Sequence, residues 1–327
     1  MKTPSKILVI RFSSMGDIIY TTPVVRCLKQ QFPGSEIHFL TKKEFKYIYQ
    51  NNPYLTKLHL LQPSLSDTIR AIKEEQFDLI IDLHNNLRTM LIKAATRLPS
   101  STYKKDRINK WLALKFKWNR FISSKHLVDR YLETVKFLGV KNDGKPIDYY
   151  IANEYQLEEF LPPSHQGSYV AFIIGATHFT KRLPNEQIIE ICRGITAPIV
   201  LLGGADVKEN AAIIEAAIGK QVYNTCGQIN LDQSVYLVSK AHKVIGFDTG
   251  LTHISEAFNK PLASIWGGTT PELLGVHPYQ ISESLIAGVE LPCRPCSKFG
   301  LEACPLGHFK CMKNISADQI VNFINLN

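Results

Sequence analysis

Asp17 stands in the segment Arg11-Phe12-Ser13-Ser14-Met15-Gly16-Asp17, directly behind the apolar run Ile7–Ile10. A lone carboxylate among backbone amides at the end of a strand either caps a turn or takes a proton from a hydroxyl as that oxygen attacks. The segment carries neither the G-x-G-x-x-G of dinucleotide binding nor the G-x-x-x-x-G-K-[ST] of a P-loop. A second polar cluster, Asp82-Leu83-His84-Asn85-Asn86-Leu87-Arg88, follows another apolar run. There Asn85, Asn86 and Arg88 are candidates to hold an acidic acceptor, and Asn86 reads equally well as only a helix cap.

Further along, Ile174-Gly175-Ala176-Thr177 leads to Lys181-Arg182, two adjacent cations suited to a phosphate that gains negative charge. Leu202-Gly203-Gly204-Ala205-Asp206, with Glu209 behind it, allows close backbone approach and offers carboxylates to ribose hydroxyls; a plain glycine turn into a helix explains it as well. The segment with most chemical content is Gly246-Phe247-Asp248-Thr249-Gly250-Leu251-Thr252-His253. A strand that ends in Asp-Thr-Gly and passes at once into a helix offers free N–H groups, a hydroxyl and a helix dipole to a diphosphate. Asp-Thr-Gly also marks aspartic proteases, but these need an all-β fold, which the surrounding pattern does not give. Gly267-Gly268-Thr269-Thr270-Pro271 adds another polar glycine loop.

Each of these segments ends a short β-rich run. Strands are expected at Lys6–Phe12, Glu36–Thr41, Asp78–Leu83, Tyr169–Ile174, Ile199–Leu202, Lys243–Phe247 and Leu262–Trp266. Amphipathic stretches alternate with them: Pro23–Phe32, Asp129–Leu138, Asn185–Arg193, Lys208–Ile218 and Leu231–Ala241, with a last short helix from a Ser316 cap. Strands separated by single helices imply parallel sheets with right-handed crossovers, so the expected class is α/β with two doubly wound domains. The prolines of Leu161-Pro162-Pro163-Ser164 mark the join, giving domains 1–163 and 164–327 facing a central cleft. Ligands of such sheets sit outside the carboxyl ends of the strands, which is where the polar segments lie.

The chain has 327 residues, 45% apolar and 20% charged, which excludes disorder, collagen and coiled coil. No apolar run approaches the ~18–20 residues of a membrane span, and the short stretch before Arg11 reads as a strand rather than a signal peptide. The expected location is therefore the cytoplasm. Of the net charge of +9, residues 1–160 carry +10 and the remainder −1. Positions 88–125 hold eleven basic residues and one acid, interleaved with Trp111, Leu112, Leu114, Phe116, Trp118 and Phe121. That pattern suits either a solvated face or an anionic membrane or glycolipid surface.

The segments Phe12-Ser13-Ser14-Met15-Gly16-Asp17, Lys181-Arg182-Leu183-Pro184, Asp248-Thr249-Gly250-Leu251-Thr252-His253 and Gly268-Thr269-Thr270-Pro271 together resemble the lipopolysaccharide heptosyltransferase family, glycosyltransferase family 9. The resemblance runs from Lys6 to about Ile320. It implies a GT-B fold and inverting transfer of a sugar, typically heptose from ADP-heptose, onto inner-core lipopolysaccharide. It implies Asp17 as catalytic base and Lys181 as the cation on the donor phosphates. Thr249, Gly250 and Leu251 would contact the diphosphate, with Asp248 and His253 in the donor site and Glu209 at the ribose. Ser13, Gly16 and Thr177 complete the donor set, and Asn85, Arg88 and Arg120 are the acceptor candidates. A Kdo-lipid A-like acceptor at the inner leaflet would engage the basic stretch, placing the enzyme peripherally on the inner membrane; nucleic acid is not an expected partner. The sequence contains no Asp-x-Asp, so the transfer is expected to need no metal and no cofactor. The alternatives are a nucleotide-sugar epimerase of the same fold and a non-catalytic binder of anionic polymers.

Seven cysteines are present. Cys27, Cys192 and Cys226 read as core residues. Cys293, Cys296, Cys304 and Cys311, with His308 between the last two, are spaced to hold a structural zinc or to stand as unliganded thiols.

Overall fold

The computed structural model describes residues 3–117 and 122–326. It divides into two compact units, residues 1–105 with 125–152, and residues 106–124 with 153–327. The division falls after Ala152, ahead of the join expected at the prolines. It also assigns residues 106–124, an excursion from the first half of the sequence, to the second unit.

In the first unit β1 (Lys6–Ile10) is followed by a short α1 (Met15–Ile19) and by α2 (Thr22–Gln31). Then come β2 (Glu36–Thr41), β3 (Lys57–Leu60), α3 (Leu65–Glu74), β4 (Leu79–Asp82), α4 (Leu87–Thr96) and β5 (Ser100–Thr102). The sheet is parallel throughout, in the order β3-β2-β1-β4-β5, with Ile7 opposite Ile37 on one side and Leu79 on the other. β1 consists of β-favouring aliphatics, and Ile7 to Ile10 are fully buried because helices cover both faces. Leu8, Ile10, Phe12, Ile72, Phe77 and Ile92 form the core under α3 and α4. Arg26 on α2 is buried and holds Asp143 and Asp148, tying the last segment of this unit to the helix. Strand order reverses at β1 and β4. The loops after these two strands therefore diverge and leave room at their carboxyl ends, the usual ligand position.

α5 (Arg107–Phe116) packs with the second unit: the Lys110 ammonium donates to the Leu274 carbonyl at 3.1 Å and that of Lys117 to the Pro295 carbonyl at 2.6 Å. The first unit closes with α6 (Leu127–Leu132) and a 3-10 turn at Lys136–Leu138, in place of the continuous helix expected over Asp129–Leu138.

The second unit alternates β6 (Val170–Ile173), α7 (Asn185–Gly194), β7 (Ile199–Leu202), α8 (Lys208–Ile218), β8 (Val222–Asn224), α9 (Leu231–Lys240), β9 (Lys243–Phe247), α10 (Gly250–Ser255), β10 (Leu262–Trp266) and β11 (Ser284–Gly288). Its sheet is again wholly parallel, in the order β11-β10-β9-β6-β7-β8, and the switch point lies between β6 and β9. A terminal helix, Ala317–Asn325, starts where expected, with the Ser316 hydroxyl accepting from the Gln319 amide at 3.2 Å. Both sheets are Rossmann-like. Four strands, β3, β5, β8 and β11, were not among those expected; each is short or half-exposed and lies at or next to a sheet edge.

Candidate active site

In the first unit the backbone leaves β1 at Arg11, two residues earlier than expected, and enters α1 with Asp17 in its first turn. Asp17 Oδ2 takes three donors: Arg11 Nη2 at 2.7 Å, the Ser14 hydroxyl at 2.8 Å and the Ser14 amide at 3.2 Å. Asp17 thus closes a capping box with Ser14, one of the two roles expected of it. Its other oxygen, Oδ1, receives no hydrogen bond from the described residues, and the side chain is partly exposed. Burial would raise this carboxyl, but the Arg11 charge and the Ser14 donors outweigh it and hold it below the ordinary carboxylate range. At neutral pH Asp17 is a fixed carboxylate with one acceptor oxygen open.

Arg11, not among the expected site residues, is what positions it. The guanidinium is 6% exposed and also donates to the Ser13 carbonyl and the Leu83 carbonyl, each at 2.7 Å. It thereby joins the loops that leave β1 and β4. His84 lies against Phe12, ring centroids 5.1 Å apart. Burial and the neighbouring Arg11 and Lys105 charges push that imidazole down to about 4, so it is neutral here.

The β4 loop is largely committed to the fold. Asp82, fully buried, pairs with Lys93 at 2.7 Å and accepts from the amides of His84 and Asn85. Asn85 adopts a positive φ of 50° and donates from Nδ2 to the Tyr103 carbonyl at 2.9 Å. Asn86 caps α4 by accepting from the Thr89 amide. Arg88 is exposed on the first turn of α4, and Arg120 lies outside the described residues. The basic run is also less free than its composition suggests: Lys93 and Lys125 are neutralised by Asp82 and Glu133. Trp118 and Phe121 likewise fall outside the described residues, whereas Ile108, Trp111 and Phe116 on α5 are exposed, with the Lys115 ammonium 5.0 Å from the Trp111 ring centroid.

In the second unit the switch point brings the loops after β6 and β9 together. Lys181 Nζ lies 2.6 Å from Asp248 Oδ2 and 3.3 Å from the Asp248 carbonyl. Asp248 also accepts from the Thr269 hydroxyl at 2.9 Å and faces His253 Nε2 at 3.3 Å; the other ring nitrogen of His253 lies 3.3 Å from Glu256 Oε1. Glu256 is buried and accepts the Tyr279 amide at 2.9 Å, which anchors the far end of the chain of contacts. Burial would raise Asp248, yet the His253 hydrogen bond and the Lys181 charge bring it down to about 2. Burial would likewise discharge His253, but its two carboxylate partners raise it to about 9. The network is therefore carboxylate, imidazolium, carboxylate, with Lys181 at its open end. Thr269 and Glu256 were not named as site residues; the His-x-x-Glu spacing on one helix face was the signal for the latter.

The raised His253 has a thermodynamic consequence. Stability from its charged form is fully present below the unfolded value near 6.5 and is lost as pH rises through about 9. The melting temperature of the second unit should therefore fall between pH 7 and 10, and differential scanning calorimetry of His253→Gln should show that alkaline slope flattened.

Thr249 caps α10 with extended backbone, and its hydroxyl makes no capping bond. The hydroxyl and the first amides of the turn thus remain available to an anion. Gly246 permits this turn to pack on β9: a Cβ there would sit 2.2 Å from the Thr252 hydroxyl oxygen. Gly246→Ala should destabilise the protein by about 1–3 kcal/mol, the usual cost of overpacking, read as a lowered denaturant midpoint at unchanged m. Gly175 and Gly203 similarly let the loops after β6 and β7 touch; a Cβ on Gly175 would lie 3.4 Å from the Gly203 Cα. Thr177 and Glu209 are exposed beside these loops, while Arg182 pairs with Asp206 at 2.6 Å rather than joining Lys181.

All seven cysteines are free thiols, and Cys27, Cys192 and Cys226 are buried as expected of core residues. Cys293 Sγ lies 3.9 Å from His308 Nε2, but the four C-terminal thiols do not supply three ligand atoms within 4.8 Å of one another. Burial and the neighbouring Cys296, Cys304 and Cys293 push the Cys311 thiol up to about 11.

Two parallel Rossmann-like units, each with polar loops at the carboxyl ends of its central strands, make up a GT-B fold. Residues 66–304 match Glycosyltransferase family 9 (heptosyltransferase), and the chain belongs to that family. It is 22% identical to lipopolysaccharide heptosyltransferase 1 of Pseudomonas aeruginosa, over 98% of this chain and 94% of that protein. Among solved structures, a family 9 glycosyl transferase from Veillonella parvula is similar with a TM-score of 0.77 at 20% identity, covering 98% of this chain and 97% of that one. ADP-heptose lipopolysaccharide heptosyltransferase II of Escherichia coli gives 0.72 at 18% identity, with the same coverage.

Proposed function

We propose that this glycosyltransferase moves heptose from ADP-heptose onto the inner core of lipopolysaccharide, with inversion and without a metal. The observation that carries this reading is Asp17: one oxygen held by three donors, the other open, the charge fixed by Arg11. In the reaction the acceptor hydroxyl oxygen bonds to the anomeric carbon from the face opposite the diphosphate. The bond from that carbon to the diphosphate oxygen breaks, its electron pair leaves with ADP, and the hydroxyl proton passes to Asp17 Oδ1. Lys181, together with the Thr249 hydroxyl and the amides of Gly250 and Leu251, neutralises the departing diphosphate; this supplies the positive charge that Asp-x-Asp enzymes take from a metal ion. Asp248 and His253 hold Lys181 in place, and Glu209 takes the ribose.

The names of the curated relatives support heptose and lipopolysaccharide as donor and acceptor classes. No helix among the described residues is long and apolar enough to cross a membrane, so contact with a lipid-anchored acceptor requires a peripheral surface. Ile108, Trp111 and Phe116 on α5, and Leu87, Met90 and Leu91 beside Arg88 on α4, are exposed and mixed with cations, which suits an anionic inner leaflet.

Incubation of ADP-heptose and Kdo-lipid A with the enzyme should add one heptosyl unit to the acceptor by mass spectrometry. NMR of the new linkage should show the anomeric configuration inverted. A retained configuration, or no transfer from any ADP-sugar tried, would overturn the proposal.

A further inference from the structure

On β2 and β3 at one edge of the first sheet, away from the loop after β1 that carries Asp17, lies a group with no part in the transfer. His38 on β2 and His59 on β3 face each other, Nδ1 to Nε2, at 2.9 Å. Glu75, at the end of α3, brings Oε1 to 3.9 Å from His59 Nε2, and the three ligand atoms lie within 4.8 Å of one another. Ligand atoms of a tetrahedral zinc site with bonds of about 2.0–2.1 Å stand about 3.3 Å apart, between the two distances seen here. The outer nitrogen of His38 lies 3.2 Å from Glu36 Oε2. It therefore carries the proton donated to that carboxylate and leaves Nδ1 as a lone pair, the carboxylate–histidine–metal arrangement. His38 is 2% exposed and wedged edge-on to Phe77, so its ring cannot turn away.

We infer that His38, His59 and Glu75 bind a borderline divalent cation of the zinc class, with solvent as the fourth ligand and a stabilising rather than catalytic role. Glu75 is also paired with Lys6 through Oε2 at 2.6 Å and with the exposed Lys57 through Oε1. The cation must displace Lys57 from Oε1 while Lys6 keeps Oε2. The lysine is thus a built-in competitor for the site.

The test is titration of the EDTA-stripped full chain with Co2+, followed by absorption spectroscopy and thermal melting. One equivalent should bind with ligand-field bands of a nitrogen–oxygen set, free of the thiolate charge-transfer bands that the C-terminal cysteines would give, and should raise Tm. His59→Gln and Glu75→Gln should each abolish that equivalent, and Cys293→Ser should leave it. Glu36→Gln should weaken it about 10–100-fold. Lys57→Ala should tighten it, an outcome that a purely structural hydrogen-bonded pair would not produce. Absence of a nitrogen–oxygen equivalent in the wild type, or its persistence in His59→Gln, would overturn the inference.

Discussion

Asp17→Asn lowers kcat by about 10²–10⁴-fold, the range expected when a positioned general base is removed. The substitution keeps the shape of the side chain and an oxygen for the Ser14 donors, but it removes the charge and the ability to take a proton. Arg11 retains its bonds to the Ser13 and Leu83 carbonyls, so the loops after β1 and β4 stay joined and Tm falls only modestly. Because Arg11 depresses the wild-type carboxyl, the acid limb of kcat/KM lies below the ordinary carboxylate range, and the base is fully charged across neutral pH. A base of such low pKa takes its proton late, when the attacking oxygen has begun to bond to the sugar and its O–H has become acidic. Steady-state kinetics with binding of ADP measured alongside check this. The expected result is a kcat loss with ADP affinity unchanged; a variant within tenfold of wild type would remove Asp17 from the base role.

Lys181→Ala has the second largest expected effect, about 10²–10³-fold in kcat, comparable with removal of a single oxyanion donor in a preorganised site. The effect originates at Asp248. This buried carboxylate is shared by Lys181, Thr269 and His253, so the ammonium is fixed before donor arrives and meets the developing charge without reorganising. Loss of the lysine leaves His253 and Thr269 on Asp248, and the second unit remains folded with a lowered Tm. Calorimetry and kinetics on the same preparation separate the two effects. A variant that is folded at the assay temperature and still turns over within tenfold of wild type would assign Lys181 to stability alone.

The sequence made the central strands legible because β1, β6, β7 and β9 are nearly continuous aliphatic runs, buried on both faces. Strands such as Lys57–Leu60 and Ser100–Thr102 lack that signature, since each is only partly buried. Asp17, Lys181 and Asp248 stand out in the sequence as candidates for the related reason that they lie on the loops that follow central strands. Arg11 was hidden by its position behind an apolar run, where it read as part of the strand Lys6–Phe12. Its only signal was that a cation in line with buried aliphatics needs a carboxylate partner, and the next one along the chain is Asp17. Assignment of α5 to the second unit had no local signal, because it rests on carbonyls of Leu274 and Pro295 more than 150 positions away. For the C-terminal cysteines the sequence offers only spacing, which permits a metal shell without requiring one.

Acceptor-dependent transfer of a sugar from a nucleotide diphosphate sugar without metal can be followed as ADP release from ADP-heptose in EDTA, with and without Kdo-lipid A. Release is expected only when acceptor is present, at a rate unchanged by the chelator. Release that stops in EDTA and returns with Mg2+, or donor turnover that ignores the acceptor, would contradict it.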